Sequence, residues 1–275
     1  MKTKSSLVLF AVLILTAFSV AQERAASALQ GSVVDAMGLP GQGWTSIGNV
    51  SPIEHNNFYL RSYVEQGAAV FSTYSGSVTV TPFVGVGLVF DTKGYDWNNK
   101  VLPKVGFKVN KLFLHGVVSV GSAYSYEERF KGVNSSGLTI YVQDWFGWQP
   151  VSEKANRFPG STWIEVGNLS PVEHGNILGL GYFSQGVVAK RFDRFTLVPY
   201  FEATVFRDSK GFDWDNRANV GGGVKAIFPH GDIYSEVGVA YLHENRFQSG
   251  LAAGGLSVFT NFSFNWNLLG RKAGR

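Results

Sequence analysis

The chain has 275 residues, 45% of them apolar, 15% aromatic and only 16% charged, with 33 glycines, no cysteine and a formal net charge of +4. This balance excludes intrinsic disorder, which needs low hydrophobicity and high net charge. The missing cysteines exclude a disulfide scaffold and a cysteine-ligated zinc site, and abundant aromatics and glycines with few charges point to β structure.

Lys2 and Lys4 open the chain, Leu7 to Leu15 is an unbroken apolar run, and Ser19-Val20-Ala21 places small residues where a signal peptidase reads. Residues 1–21 are therefore expected to be a secretory signal peptide. The apolar run falls short of the ~20 residues that a spanning helix needs. Removing residues 1–21 takes away Lys2 and Lys4 and no acid, so the formal charge falls to +2. No cluster of Lys and Arg interleaved with aromatics is present, so no nucleic-acid partner is expected. Residues 22–41 show no clear period and are read as a periplasmic N-terminal segment.

Beyond residue 41 the chain repeats itself. Gly48-Asn49-Val50-Ser51-Pro52-Ile53-Glu54-His55 returns as Gly167-Asn168-Leu169-Ser170-Pro171-Val172-Glu173-His174, and Asp91-Thr92-Lys93-Gly94-Tyr95-Asp96-Trp97 returns as Asp208-Ser209-Lys210-Gly211-Phe212-Asp213-Trp214. Glu127, Arg129 and Phe130 return as Glu244, Arg246 and Phe247. The reading is of two tandem copies, 42–150 and 161–267, with the small insertions placed in turns.

Each copy parses into six segments of strand period. In the first they lie near 43–51, 57–72, 77–91, 101–113, 117–128 and 137–148. In the second they lie near 162–170, 176–191, 195–208, 218–228, 232–245 and 252–266. One face of each segment is apolar, as in Val80, Pro82, Val84, Val86, Leu88 and Phe90, or Leu197, Pro199, Phe201, Ala203 and Val205. The other face is polar or small. Several segments are long enough to cross a bilayer at a tilt, and Tyr124, Tyr126, Tyr241, Phe262, Phe264 and Trp266 fall where interfacial aromatics are expected. A bilayer permits only closed barrels among β structures. The fold class read from the chain is thus all-β: a single antiparallel transmembrane β-barrel of about twelve strands over 42–267, built from two tandem six-strand repeats, with 268–275 as a basic C-terminal tail.

This pattern resembles Gram-negative outer-membrane β-barrel proteins over most of residues 42–267. The Lys-Gly-aromatic-Asp-Trp loop is also similar to loops of barrels that accompany exopolysaccharide secretion. The resemblance implies an outer-membrane location, outer-membrane lipid as surroundings, and the outer-membrane assembly machinery as a partner. Such barrels commonly end on an aromatic residue; here Trp266 is followed by nine further residues ending in Arg275, a departure from that signal.

With both termini periplasmic, the Ser-Pro-x-Glu-His turns, the Asp-Trp loops and the Glu/Arg loops lie outside, and short turns lie on the periplasmic side. Glu54-His55 and Glu173-His174 invite a general-base reading, but adjacent residues on a strand face opposite ways, and no metalloprotease spacing or Ser-His-Asp order is present. Their simpler role is pairing between loops of the two copies. Glu127 with Arg129, and Glu244 with Arg246, share a face and suit ion pairs. Asp96-Trp97 and Asp213-Trp214 suit a saccharide platform, the indole stacking on a pyranose and the carboxylate accepting its hydroxyls; their simpler role is an aromatic-belt residue beside a turn aspartate.

On the polar faces stand Arg61, Lys104, Lys108, Glu202, Lys225 and Glu236, the candidate lumen charges. The basic groups gather mainly in the first copy and the acidic ones in the second, which predicts a transverse field and weak ion selectivity. Glycines 85, 87, 106, 121, 179, 181, 221, 223 and 238 are expected to keep the lumen from being filled. The function expected is a narrow pore or export conduit for small polar solutes or saccharides. The rival is a non-conducting barrel of an envelope complex, and a lipid-modifying hydrolase is a third class. No cofactor and no metal are expected.

Overall fold

The computed structural model describes residues 38–73, 77–149, 151, 154–230 and 233–268. The expected signal peptide, residues 22–37 of the expected periplasmic segment and all but the first residue of the 268–275 tail lie outside the described residues. Twelve long strands follow one another: β1 Pro40–Gly48, β2 Tyr59–Gly67, β3 Val78–Asp91, β4 Lys100–Phe113, β5 Gly116–Arg129, β6 Asn134–Trp148, β7 Gly160–Gly167, β8 Leu178–Gly186, β9 Thr196–Asp208, β10 Arg217–His230, β11 Ile233–Arg246 and β12 Ala252–Asn267. Each pairs antiparallel with its neighbours in sequence. The last returns to the first, with Pro40 opposite Asn267 through to Gly48 opposite Phe259. The sheet is closed, so no strand presents an edge of unpaired amides. β1 begins at Pro40, within the expected N-terminal segment. A proline is at home at a strand's first residue, because it has no N–H to give the ladder.

Two other prolines shape the sheet from inside it. Regular β2 ends at Gly67, opposite Phe83, where Pro82 removes a ladder donor; pairing resumes in the two-residue strand Phe71–Ser72. Pro199 does the same to β8, which ends at Gly186 opposite Tyr200 and resumes at Lys190–Arg191. The backbone stays satisfied across both breaks, with Ala68 N donating to Pro82 O and Val187 N to Pro199 O, at 3.0 and 2.9 Å.

The apolar face of each strand points outward. On β4, Val105 and Phe107 are 55% and 57% exposed while Lys108 between them and Val109 is buried. On β9, Pro199, Phe201 and Val205 face out while Val198 and Tyr200 are buried inside. A water-soluble barrel has the opposite arrangement. An apolar outer band around a closed hydrogen-bonded wall is the surface that lipid requires. Aromatics concentrate toward both rims of this band. At one rim stand Tyr124, Tyr126 and Tyr241; at the other Phe113 packs with Phe146, and Phe262, Phe264 and Trp266 form a continuous row.

Both ends of the described chain lie at one end of the barrel, with connections 68–77, 114–115, 149–159, 187–195 and 231–232. The opposite end, here the mouth, carries loops 49–58, 92–99, 130–133, 168–177, 209–216 and 247–251. The expected contrast of short periplasmic turns with longer outer loops does not hold. Two residues separate β4 from β5 and β10 from β11, but 68–77, 149–159 and 187–195 match the mouth loops in length. The two prolines lengthen 68–77 and 187–195 by interrupting the strands before them. Beyond β6, Val151 is buried against Val198, Tyr200, Ile227, Ala240 and Leu242, and Arg191 donates to the carbonyls of Val151 and Asn156.

Candidate functional site: mouth and lumen

At the mouth the Ser-Pro-x-Glu turn folds on itself. Ser51 Oγ accepts from Glu54 N at 3.3 Å and donates to Glu244 at 2.5 Å. Glu54 in turn accepts from Asn57 at 3.0 Å, from the Tyr59 hydroxyl, and from Arg246 at 2.8 Å. Burial opposes ionisation of Glu54. The Tyr59 and Asn57 donors, with the guanidinium groups of Arg217 and Arg246, outweigh it and hold the carboxyl below its usual range. Glu244 is wholly buried and also takes Arg246 Nε at 3.0 Å and Arg217 at 3.4 Å.

The same set occurs in the other half. Ser170 donates to Glu127, Glu173 accepts from Asn176 at 2.9 Å and from Arg129 at 2.8 Å, and Glu127 takes Arg129 Nε at 2.8 Å and Lys100 at 3.1 Å. Each arginine is thus a fork between a carboxylate of its own strand and one from a loop in the other half of the chain. His55 and His174 do not join these pairs; His55 is exposed, and His174 Nε2 lies 3.5 Å from Ser135 Oγ. Asn57, Asn176, Asp91 and Asp208, which complete the clusters, were not singled out from sequence. Their signal was there: each recurs with the motif beside it.

Asp91 and Asp208 shape the next pair of loops. Asp91 accepts from Gly94 N at 2.5 Å, Tyr95 N at 3.1 Å, Asn98 at 3.0 Å and Asn99 at 2.9 Å. Asp208 accepts from Gly211 N at 2.5 Å and Asn216 at 2.7 Å. Gly94 and Gly211, at φ of 70° and 76°, take the left-handed conformation that folds each loop inward. The short 3-10 turns Asp96–Asn98 and Asp213–Asp215 follow. Arg129 and Arg246 hold Asp96 and Asp213 at 3.7 and 3.6 Å.

These loops join β3 to β4 and β9 to β10, on opposite walls of a twelve-strand ring. Nevertheless Trp97 and Trp214 stack at 4.7 Å and 12°, with Tyr95 on Trp97 and Phe212 on Trp214, both at 4.9 Å. Loops from facing walls can meet only by reaching across the opening, so four stacked rings bridge the mouth. This corrects the saccharide-platform reading of Asp96, Trp97, Asp213 and Trp214. Both faces of each indole are covered by another ring, and each carboxylate is turned to an arginine. Beside the stack, burial and then Glu173 and Asp208 push the Asp215 carboxyl up to about 6, against the lowering pull of Arg217 and Lys100.

Below the mouth the six candidate lumen charges all lie on the inward face. Three of them have close partners: Lys108 bonds Glu65 at 2.5 Å, and Lys225 and Glu236 bond each other at 2.9 Å. Tyr63 and Tyr234 each add a hydroxyl donor to these glutamates at 2.7 Å. Glu65 was missed from sequence, because its partner is in another strand and 43 residues away. These pairs cancel part of the expected transverse field. Arg61, Lys104, Glu165 and Glu202 form no ion pair among the described residues. The two cations stand on β2 and β4, the two carboxylates on β7 and β9. Lys104 sits among rings, 4.4 Å from the Tyr63 centroid and 5.5 Å from that of Tyr141.

Three of the glycines expected to leave the lumen open have rings laid across them instead. A Cβ on Gly85 would lie 2.7 Å from the Tyr63 hydroxyl, one on Gly121 2.4 Å from the Tyr141 ring, and one on Gly238 2.6 Å from the Phe259 ring. These three positions are bare so that a neighbouring strand's ring can lie across them, which narrows the interior there. Gly179 and Gly181 face outward, since Tyr182 beside them faces in.

The fold and its inverted polarity define an outer-membrane β-barrel. Solved structures similar to the chain include the β domain of the Bordetella autotransporter BrkA, at 15% identity over 84% of this chain and 99% of that one, with a TM-score of 0.37. The translocator domain of the autotransporter NalP from Neisseria meningitidis is 13% identical over 94% and 98%, TM-score 0.37, and the NanC porin 11% identical over 82% and 98%, TM-score 0.36. No family model and no curated protein matches the chain. The similarity to exopolysaccharide-secretion barrels has no support in these comparisons.

Proposed function

We propose that this barrel is a narrow conduit for small polar solutes whose resting state is shut at the mouth. The observation that carries the reading is the bridge of Tyr95, Trp97, Trp214 and Phe212 over a lumen lined with charged and phenolic groups. Stacked rings on two separate loops form a closure that parts without unfolding a strand. The contact joining the loops is one indole pair, of the size of an ordinary aromatic interaction, about 0.5–1.5 kcal/mol beyond area burial. The fork-like arginines hold the loops' bases, so that opening is confined to the tips. Lipid surrounds the barrel, and assembly into the membrane follows the route of its class. The hydrolase reading has less behind it, since the Glu54 carboxylate is engaged by Arg246, Asn57 and Tyr59 rather than by His55.

Conductance in planar bilayers tests this. The wild-type barrel is expected to open rarely, and Trp97→Ala with Trp214→Ala to conduct persistently. If both remain silent while both migrate as folded, heat-modifiable barrels on gels, the non-conducting partner barrel is the better reading.

A further inference from the structure

The lumen charges divide into two kinds. Glu65 takes Lys108, Tyr63 and Gln42, and Glu236 takes Lys225, Tyr234 and Asn261. Where nearby strands bring opposite charges within reach, this interior neutralises them by contact. Four charges are left over. Among the described residues Glu165 accepts no hydrogen bond, and Glu202 accepts one from Tyr182 at 3.2 Å with Lys225 and Glu236 within electrostatic reach; Arg61 lies by the Tyr59 ring with Arg217, Asp215 and Glu54 in reach, and Lys104 has aromatic rings as its neighbours. Lys104 and Glu165 lie within each other's electrostatic reach but outside the 4.0 Å of an ion pair.

The four are also sorted. Arg61 and Lys104 stand on β2 and β4, Glu165 and Glu202 on β7 and β9, and β2 faces β8 across a ring of twelve. The tiers match as well. Glu165 holds the place that Ser46 holds in the other half, and Ser46 lies opposite Arg61. Glu202 holds the place of Gly85, which lies opposite Lys104. Each tier therefore has one cation on one wall and one carboxylate on the other.

All four are partly exposed on the inward face, whereas the paired Glu65, Lys108, Lys225 and Glu236 are buried, so the unpaired charges are the ones a solute can reach. A simple anion entering here gains Lys104 and Arg61 but meets Glu165 and Glu202, and a simple cation meets the reverse. A molecule with both poles satisfies both walls and leaves the site neutral. We infer that the lumen holds a binding site for small zwitterions, with Lys104 and Arg61 taking the anionic pole and Glu165 and Glu202 the cationic one. Tyr63, Tyr141 and Tyr182 supply ring faces along the ligand's length, which suits an alkylammonium pole. The site deepens the conduit reading by naming the class of solute, and it rests on that reading for access to the lumen.

The test is calorimetric titration of the full, detergent-solubilised barrel with γ-aminobutyrate, using butyrate and butylammonium as single-charge controls. γ-Aminobutyrate is expected to bind saturably in the millimolar range, roughly tenfold more tightly than either control. Lys104→Met and Glu165→Gln are each expected to reduce it to the level of the controls. Heat-modifiable migration verifies that each variant is folded. Equal binding of all three probes, no binding by the wild type, or unchanged binding by both single variants overturns the inference. Binding without conductance would defeat the conduit alone, and conductance without preferential binding would defeat the zwitterion site alone.

Discussion

Asn98 donates to Asp91 at 3.0 Å in the 92–99 loop, whereas the matching place in the 209–216 loop is Asp215, a second acid within reach of Asp208 and Glu173. Arg217, Lys100 and Arg61 also face it. Its carboxyl is raised from 3.8 to about 6, so the ionised form is the one the folded loop disfavours. The stability that Asp215 contributes is therefore full below pH 3.8 and is lost as the pH rises through about 6. Asp215→Asn, which restores the amide of the other loop, is expected to remove this dependence. The gain at neutral pH is of order 1–2 kcal/mol once solvent screening of a partly exposed loop is allowed for. Thermal unfolding followed by gel shift between pH 5 and 8 measures it. An unchanged slope in the variant would mean that another group titrates.

At the scale of the strand, ring and glycine are one feature. Tyr141 of β6 lies over Gly121 of β5, and Phe259 of β12 over Gly238 of β11, with the glycines 117 residues apart. Gly121→Val drives a branched side chain into the Tyr141 ring and is expected to cost about 1–3 kcal/mol by overpacking. Gly121→Val with Tyr141→Ser removes the obstacle and is expected to return most of the loss. The midpoint of heat-induced gel migration reads both. A single variant as stable as the wild type would show that the ring moves aside freely. Prolines act at the same scale: Pro82 and Pro199 end β2 and β8 by withholding one donor each, and so make the terminal-end connections long.

Across the whole barrel, two seams join the halves of the chain. At β6–β7, Asn168 bridges Leu138 O and Ile140 N, and Trp148 Nε1 donates to Gln185. At β12–β1, Asn49 bridges Leu256 O and Val258 N, and Trp266 Nε1 donates to Gln66. One seam has a covalent connection and the other does not, yet their contacts correspond. Leu268 N reaches Leu39 O at 3.2 Å, so the described chain ends are adjacent. A circular permutant that links residue 268 to residue 38 by a short flexible segment and opens between 154 and 155 is expected to fold to a heat-modifiable barrel. The condition that permits this is closeness of the ends at an exposed connection. Failure to form that species on refolding into detergent would show that the β6–β7 connection, with Val151 inside the barrel, is needed for closure.

Strand number, approximate strand bounds and the polarity of each face were legible in the chain, because a strand's side chains alternate strictly and the two-residue period survives any context. Val105, Phe107 and Lys108 sort to opposite faces wherever the strand is placed. The recurring motifs were legible for a similar reason: a capped turn such as Ser51-Pro52-Ile53-Glu54 is built from nearby residues. Which face meets lipid was open from alternation alone and was decided by closure of the sheet. The partners of the charges were decided there too. Glu65 with Lys108, Glu54 with Arg246, and Trp97 with Trp214 are distant in sequence, and strand register and the curvature of the barrel bring them together. The glycines carry the same lesson, since the space above Gly121 is determined by a ring from the next strand, a property of the pair and of neither residue alone.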